Sequence, residues 1–492
     1  MTETRRTWLA TLAMSGANAI KLIVQFAILP VLARFLGPGA YGVVSLAMPF
    51  ILLANLLCDA GLGSALARRP DCDDELESTV FWISAGIGGV VAALVCALAW
   101  PAAIVLHQPQ LAPVLLALSP ILLIASSLAP ANARVLRERR FAVFAIGDIA
   151  STLAAAAVAL TAAISGWGYW SLVAQQLTLW TVKSSWVFTA SRFRVRGMCR
   201  PSRARDLIAF GLNSVGANIA DFTSRNIDNV LIGAILGVAT LGRYAMAYQI
   251  IRLPDAVVSG PLYLTIFTAV ARANGDREVA ARVVRSNLRL TLLAITPLFA
   301  GLALTADLAV AVLLGKRWTE TGPLIALLAP AGFCVCVYSF IGATLMGMGR
   351  SDRQFRLSAM NGVAVVLAVL VGAQFGVIWA ALGVSLALVS LSALFFAALK
   401  AETGVSGADV AGLMRAPLVS AVTMGLAVFV LRHLTPAWPA AARLALCIAG
   451  GGIVYIAALA LQLGRKGLQP LRDALRRQTE ASPTPAVSRP QP

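Results

Sequence analysis

Charge is scarce in this 492-residue sequence: Asp, Glu, Lys and Arg make up 13% of it, against 59% hydrophobic residues. A water-facing surface needs about 25% charged residues, so most of this chain must face another solvent. Histidine occurs twice, at His107 and His433, which leaves little for a His-based catalytic centre. The seven cysteines are scattered without a CxxC, and Cys334 and Cys336 would point to nearly opposite sides of a helix. Neither a disulfide framework nor a metal site is expected, and no cofactor motif stands out. Acids are scarce too, 22 against 40 Lys and Arg, for a net charge of +18. A nucleic-acid-binding domain would gather its cations on one face. Here they sit in short gaps between apolar stretches, so no nucleic-acid partner is expected.

What is abundant is apolar sequence in runs long enough to span a bilayer, about 20 residues each. Such runs lie near 8–36, 41–66, 79–106, 111–133, 141–165, 168–190, 207–236, 239–270, 284–314, 323–348, 356–373, 376–399, 411–431 and 442–463. These fourteen segments predict an all-α polytopic membrane protein. Gly and Pro punctuate the connectors, as in Gly37-Pro38-Gly39 and Gly166-Trp167-Gly168. Inner loops of membrane proteins are the basic ones. If the N-terminus is cytoplasmic, every second gap is indeed basic: Arg68 and Arg69, then Arg134 to Arg140, then Arg192 to Arg205, Arg272 to Arg289, Arg350 to Arg356, and Lys400 with Arg415. The outer gaps hold only Lys316, Arg317, Arg432 and Arg443. Both termini are therefore expected in the cytoplasm. The first run is no cleavable signal peptide, whose apolar core is about 7–15 residues; it is longer and carries Lys21. The tail is expected to hold a short amphipathic helix, Leu468 to Arg477, before a disordered end.

An internal repeat runs at an offset of 200 residues. Gly16-Ala17-Asn18 recurs as Gly216-Ala217-Asn218, Leu36-Gly37 as Leu236-Gly237, Gly42 as Gly242, and Ala47 as Ala247. Span 1 thus corresponds to span 7 and span 2 to span 8. Six crossings separate them, so equivalent helices run parallel and the halves are related by an axis along the membrane normal. The expected organisation is an N-terminal lobe over 1–206, a C-terminal lobe over 207–400, two additional spans over 401–464 and a basic tail over 465–492.

Charge inside a span is expensive and usually faces a cavity or a partner. Asn218, Asp221, Arg225 and Asp228 of span 7 fall within an arc of about 80° at 100° per residue. Asn18, Lys21 and Gln25 form the repeat-related stripe on span 1. Span 8 adds Tyr244, Tyr248 and Arg252 at i, i+4 and i+8. These stripes are expected to look into one wet cleft between two pseudo-symmetric lobes. The alternative for Asp221, Arg225 and Asp228 is a self-neutralising ladder that serves packing. Asp59 of span 2 and Asp148 and Lys183 of the first half are further candidates for the cleft. Arg34 and Lys183, near span ends, are expected to snorkel to the headgroups, and Asp59 to serve a local cap.

Three stretches, ILPVLARFLGPGAYGVVSLAMPF (28–50), CDAGLGSALARR (58–69) and SRNIDNVLIGAILGVATLGRYAMAYQIIRLP (224–254), resemble the polysaccharide transport family. This family comprises Wzx-like lipid-linked oligosaccharide flippases of the multidrug/oligosaccharidyl-lipid/polysaccharide superfamily. The similarity covers the first eight spans, and the last six match mainly in hydropathy. The resemblance implies two lobes around a central cavity and cytoplasmic loading of an undecaprenyl-diphosphate-linked glycan, delivered across the bacterial inner membrane for exopolysaccharide, capsule or O-antigen synthesis. It implies cationic cavity residues for the diphosphate, a role that Lys21, Arg225 and Arg252 would fill. Membrane lipids, a polysaccharide polymerase and export proteins are the partners it suggests. A cation-coupled drug exporter of the same superfamily is the main rival. A membrane glycosyltransferase or polymerase would need a catalytic group in an outer loop, where only Glu320 and His433 offer themselves. The protein is expected not to be an enzyme.

Overall fold

The computed structural model describes residues 3–59, 62–68, 72–195, 197, 226–273 and 276–467. The helices within them are α1 (Glu3–Asp59), α2 (Leu62–Arg68), α3 (Asp74–Val105), α4 (Leu111–Leu118), α5 (Pro120–Ser127), α6 (Ala129–Arg137), α7 (Phe141–Ile164) and α8 (Trp170–Ser191). There follow α9 (Asn226–Leu236), α10 (Val238–Ala271), α11 (Arg277–Leu313), α12 (Thr321–Gly347), α13 (Ser351–Ala373), α14 (Val377–Thr403), α15 (Gly407–Leu434) and α16 (Ala440–Gly467). No strand occurs among the described residues. Arg69, Cys199, the predicted repeat segment from Val215 and the expected tail helix lie outside the described residues.

Wherever its residues are described, each predicted span falls on a helix. Spans 1 and 2 are the two arms of α1, which kinks at Gly37, and span 2 ends at Asp59 with α2 following as a separate turn. Span 4 is broken into α4, α5 and α6 where Pro120 and Pro130 cannot continue the hydrogen-bond ladder. Among the described residues, ten stretches are long and apolar enough to cross a membrane. The spans near 168–190, 207–236 and 239–270 fall on α8, α9 and α10; α8 and α10 carry polar and charged residues, and only eleven residues of span 7 are described, as α9. Large apolar side chains face outward, with Val90 at 70%, Ile104 at 71% and Leu461 at 86% exposure. A lipid environment is what makes such a surface stable. The fold is that of an all-α, multi-pass membrane protein.

The chain divides into two compact units, one of residues 1–250, 309–328 and 358–387, the other of 251–308, 329–357 and 388–492. In the first, α7 packs on α8 and α1 through a face of small residues, among them Gly147, Ser151, Ala155 and Ala159. Membrane helices associate through such faces because backbones can approach closely. The Trp186 indole sits over Gly147 and donates to the Val143 carbonyl at 3.0 Å. In the second, α15 packs on α16, the Tyr455 hydroxyl donates to the Leu293 carbonyl at 3.1 Å, and Tyr338 stacks on Phe395.

The basic connectors also clamp helix ends. Glu77, in the first turn of α3 and 1% exposed, accepts from Arg134 at 2.8 Å and from Arg137. Arg134 also reaches Asp74 at 2.6 Å, and Arg140 donates to the Ala190 carbonyl at the end of α8 at 3.0 Å. The second unit repeats the device: Arg353 pairs with Glu402 at 2.9 Å, and Arg277 donates to the Ala401 carbonyl at 3.2 Å, both at the end of α14.

Candidate functional site

The first polar stripe lies on the first arm of α1. Asn18, Lys21 and Gln25 follow at i, i+3 and i+7 and so share one face; Asn18 is exposed, and Lys21 and Gln25 are half-buried. Lys21 has no acidic partner among the described residues. A charge at the centre of a span costs about 2.5–3.5 kcal/mol by insertion scales. Such a residue is retained where water or an anionic ligand meets it.

The second stripe is only partly described. Asn218, Asp221 and Arg225 lie outside the described residues. Asp228, on α9, is 3% exposed; its carboxylate accepts from the Asn229 backbone N–H at 2.9 Å and from the Tyr244 hydroxyl at 3.4 Å. Tyr244 is fully buried on α10 and stacks on Tyr248 with ring centroids 5.8 Å apart. Asp228, Tyr244 and Tyr248 thus form one connected chain across the α9–α10 junction. Arg252, one turn beyond Tyr248, is exposed and belongs to the second compact unit.

The same end of the first unit is tied together by contacts that the sequence did not announce. Gly37 and Gly237 both have positive φ, 72° and 83°. Gly37, with ψ 171°, occupies a region open essentially to glycine alone. The chain segments after these two turns cross with almost no space between them. A Cβ on Gly42 would lie 1.6 Å from the Val238 carbonyl oxygen, and one on Gly242 would lie 1.9 Å from that of Pro38. The Gly42–Gly242 part of the offset-200 repeat is therefore a reciprocal structural contact. Leu-Gly followed five residues later by Gly was its signal in the sequence.

Onto this crossing folds the connector between α11 and α12. Trp318, fully buried, donates its indole N–H to the Ala33 carbonyl at 2.8 Å and meets Tyr41 edge-on at 5.4 Å. Arg34, expected to reach toward the headgroups, donates to the carbonyls of Leu313, at 3.2 Å, and Val312. The end of α11 offers it unpaired carbonyls. Glu320, the carboxylate that an outer-loop enzyme would have needed, pairs with Arg243 at 2.6 Å. Lys183, also expected to reach toward the headgroups, has Asp148 of α7 2.7 Å from its Nζ. Among the described residues no cluster of three or more His, Cys, Asp or Glu could hold a metal.

Comparison with known proteins decides the family. The sequence matches the polysaccharide biosynthesis protein family over residues 31–323. The chain belongs to it. Among its relatives, the succinoglycan biosynthesis transport protein ExoT of Rhizobium meliloti (strain 1021) is 28% identical over 494 residues, covering 99% of this chain and 98% of that protein. The fold of this polysaccharide biosynthesis protein is shared more widely. The lipid II flippase MurJ, in an inward closed conformation, matches with TM-score 0.74 at 12% identity, covering 95% of this chain and 100% of that one. A multidrug resistance MATE family transporter of the MOP superfamily, inward-facing, matches with TM-score 0.61 at 14% identity, covering 79% of this chain and 98% of that one. The family's two-lobe transporter fold thus serves flippases and drug exporters alike, and the fold by itself does not choose between them.

Proposed function

We propose that the protein flips an undecaprenyl-diphosphate-linked oligosaccharide from the cytoplasmic to the periplasmic leaflet of the bacterial inner membrane, by alternating access, for exopolysaccharide, capsule or O-antigen synthesis. It works as a transporter and catalyses no covalent step. Both termini are cytoplasmic, which the alternation of basic gaps supports. The lobes are residues 1–206 and 207–400, with 401–464 as two additional spans and 465–492 as a basic tail.

The observation that carries this reading is Lys21, an ammonium in mid-span with no acidic partner among the described residues. A diphosphate supplies the missing counter-charge. Lys21, Arg225 and Arg252 bind it, the guanidinium groups pairing two phosphate oxygens at once. Asn18, Gln25, Asn218 and Tyr248 offer hydrogen bonds to the sugar. Asp221 competes for the cations and speeds release, while Asp228 acts through Tyr244 to fix the Tyr248 ring. The Trp318, Arg34 and Arg243 contacts close the periplasmic end and must separate for release. Relatedness to a succinoglycan transport protein supports the polysaccharide pathway, and the lipid flippase fold supports the lipid-linked form.

The test is deletion of the gene. Lipid-linked glycan should accumulate on the inner leaflet, and wild type but not Arg225→Ala should clear it. Clearance by both would remove the diphosphate site. The buried carboxylate of Asp228 favours a second reading, a cation-coupled drug exporter. That reading requires drug efflux driven by an imposed proton or sodium gradient and lost in Asp228→Asn.

A further inference from the structure

At the opposite end of the second unit from the Arg353–Glu402 clamp, α11, α15 and α16 enclose a cavity of about 610 Å³. Its lining is split by chemistry. Leu304, Val428, Phe429 and Pro436 are apolar, and Arg432, His433 and Arg443 are basic, with Arg432 and His433 one helical turn beyond Val428 and Phe429 on α15. A volume of this size is typical of small-ligand sites. It stands on the additional spans 13 and 14, with Leu304 of α11.

The three basic residues are not equivalent. Arg432 is committed to structure: it donates to the Leu304 carbonyl at 2.7 Å and pairs with Asp307, tying α15 to α11. His433 lies against Phe429, ring centroids 4.5 Å apart, with Nδ1 3.3 Å from the Phe429 carbonyl. Arg443 makes one hydrogen bond, from Nη2 to the Arg432 carbonyl at 3.3 Å. Its Nε is buried without a partner, and no acid among the described residues pairs with it. A buried guanidinium N–H without an acceptor is costly, whereas a charge-assisted bond to a phosphate oxygen is among the strongest available.

We propose that this cavity is a docking site for a lipid phosphate. The headgroup binds Arg443 and His433, and the first carbons of the lipid chain lie along Leu304, Val428, Phe429 and Pro436. Basic residues at the connector end of two membrane helices, with apolar residues one turn deeper on α15, match a molecule with a charged head and a hydrocarbon tail. The chemistry is a phosphoryl group on an apolar chain, carried by a polyprenyl phosphate or by an ordinary anionic phospholipid.

The experiment uses the full-length protein in nanodiscs, with a photo-crosslinking residue at Pro436 reporting occupancy of this cavity alone. The probe is radiolabelled undecaprenyl monophosphate, with undecaprenol as its uncharged counterpart. We expect capture of the monophosphate but not of the alcohol, and at least tenfold weaker half-saturation in Arg443→Gln and in His433→Gln. Competition by phosphatidylglycerol at equal concentration would assign the site to bulk anionic lipid. Full competition by millimolar inorganic phosphate would overturn the proposal, because the site would then need no lipid chain. Resistance to both would assign it to the polyprenyl carrier. Capture of undecaprenol as efficient as that of the phosphate, or unchanged half-saturation in both variants, would overturn the proposal. Because the readout is local, it does not depend on transport through the Lys21 stripe.

Discussion

Gly42 and Gly242 lie backbone to backbone, the amide nitrogen of each within 3.1 Å of where a Cβ on the other would sit. Neither position has room for a methyl group, because the obstacle on each side is a carbonyl of the opposing segment rather than a movable side chain. Overpacking of this kind costs about 1–3 kcal/mol and sometimes more. Gly42→Ala and Gly242→Ala should each lower the melting temperature of the purified protein by several degrees and abolish complementation. Gly39→Ala, where a Cβ meets nothing within 4 Å, should behave as wild type. Equal behaviour of the three variants would mean that the crossing is looser than described.

Trp318 should act as a latch. Trp318→Ala removes a fully buried indole and its bond to Ala33, a loss of about 3–5 kcal/mol. Trp318→Phe removes mainly the hydrogen bond, about 1 kcal/mol. In a cysteine-free background, Tyr41→Cys should label with an impermeant thiol reagent several-fold faster when combined with Trp318→Ala. No acceleration would indicate that Trp318 serves packing without holding that end closed.

Glu77 is held between two guanidinium groups at 1% exposure. Removing one partner of a buried ion pair strands the other charges, at about 3–5 kcal/mol. Glu77→Ala should therefore destabilise strongly, as judged by thermal unfolding in detergent. Combining Glu77→Gln with Arg137→Met should recover part of the loss. Additive losses in the double variant would argue that the two side chains do not interact.

Asp228 and Tyr244 should be coupled weakly. Their 3.4 Å separation is long for a hydrogen bond, so a double-mutant cycle with Asp228→Asn and Tyr244→Phe should give about 1 kcal/mol. Coupling near zero would detach Asp228 from the tyrosine pair and weaken its assigned role in placing Tyr248.

What the sequence made legible was whatever is written along one dimension. Hydropathy located the spans, because bilayer thickness sets a minimum run length whatever the neighbours are. The repeat was visible because Gly37 and Gly237 both need a positive φ, which few residues other than glycine supply. Pairings across helices were not legible. Arg34 and Lys183 look like interfacial residues by position, and only the fold reveals the Leu313 carbonyl and the Asp148 carboxylate beside them. Arg134 and Arg137 count as loop charges in the sequence, yet they neutralise Glu77. Trp318 sits in a short polar connector, where nothing along the chain marks it as buried.

The central claim is that the Lys21 ammonium in span 1 holds the diphosphate of the translocated lipid. It is tested most directly with purified protein in liposomes, by following movement of a labelled undecaprenyl-diphosphate-linked oligosaccharide between leaflets. Lys21→Gln should cut the flipping rate at least tenfold, as expected for loss of a charge-assisted contact, and Lys21→Arg should restore much of it. Flipping by Lys21→Gln at the wild-type rate, in protein that is equally folded and inserted, would contradict the account.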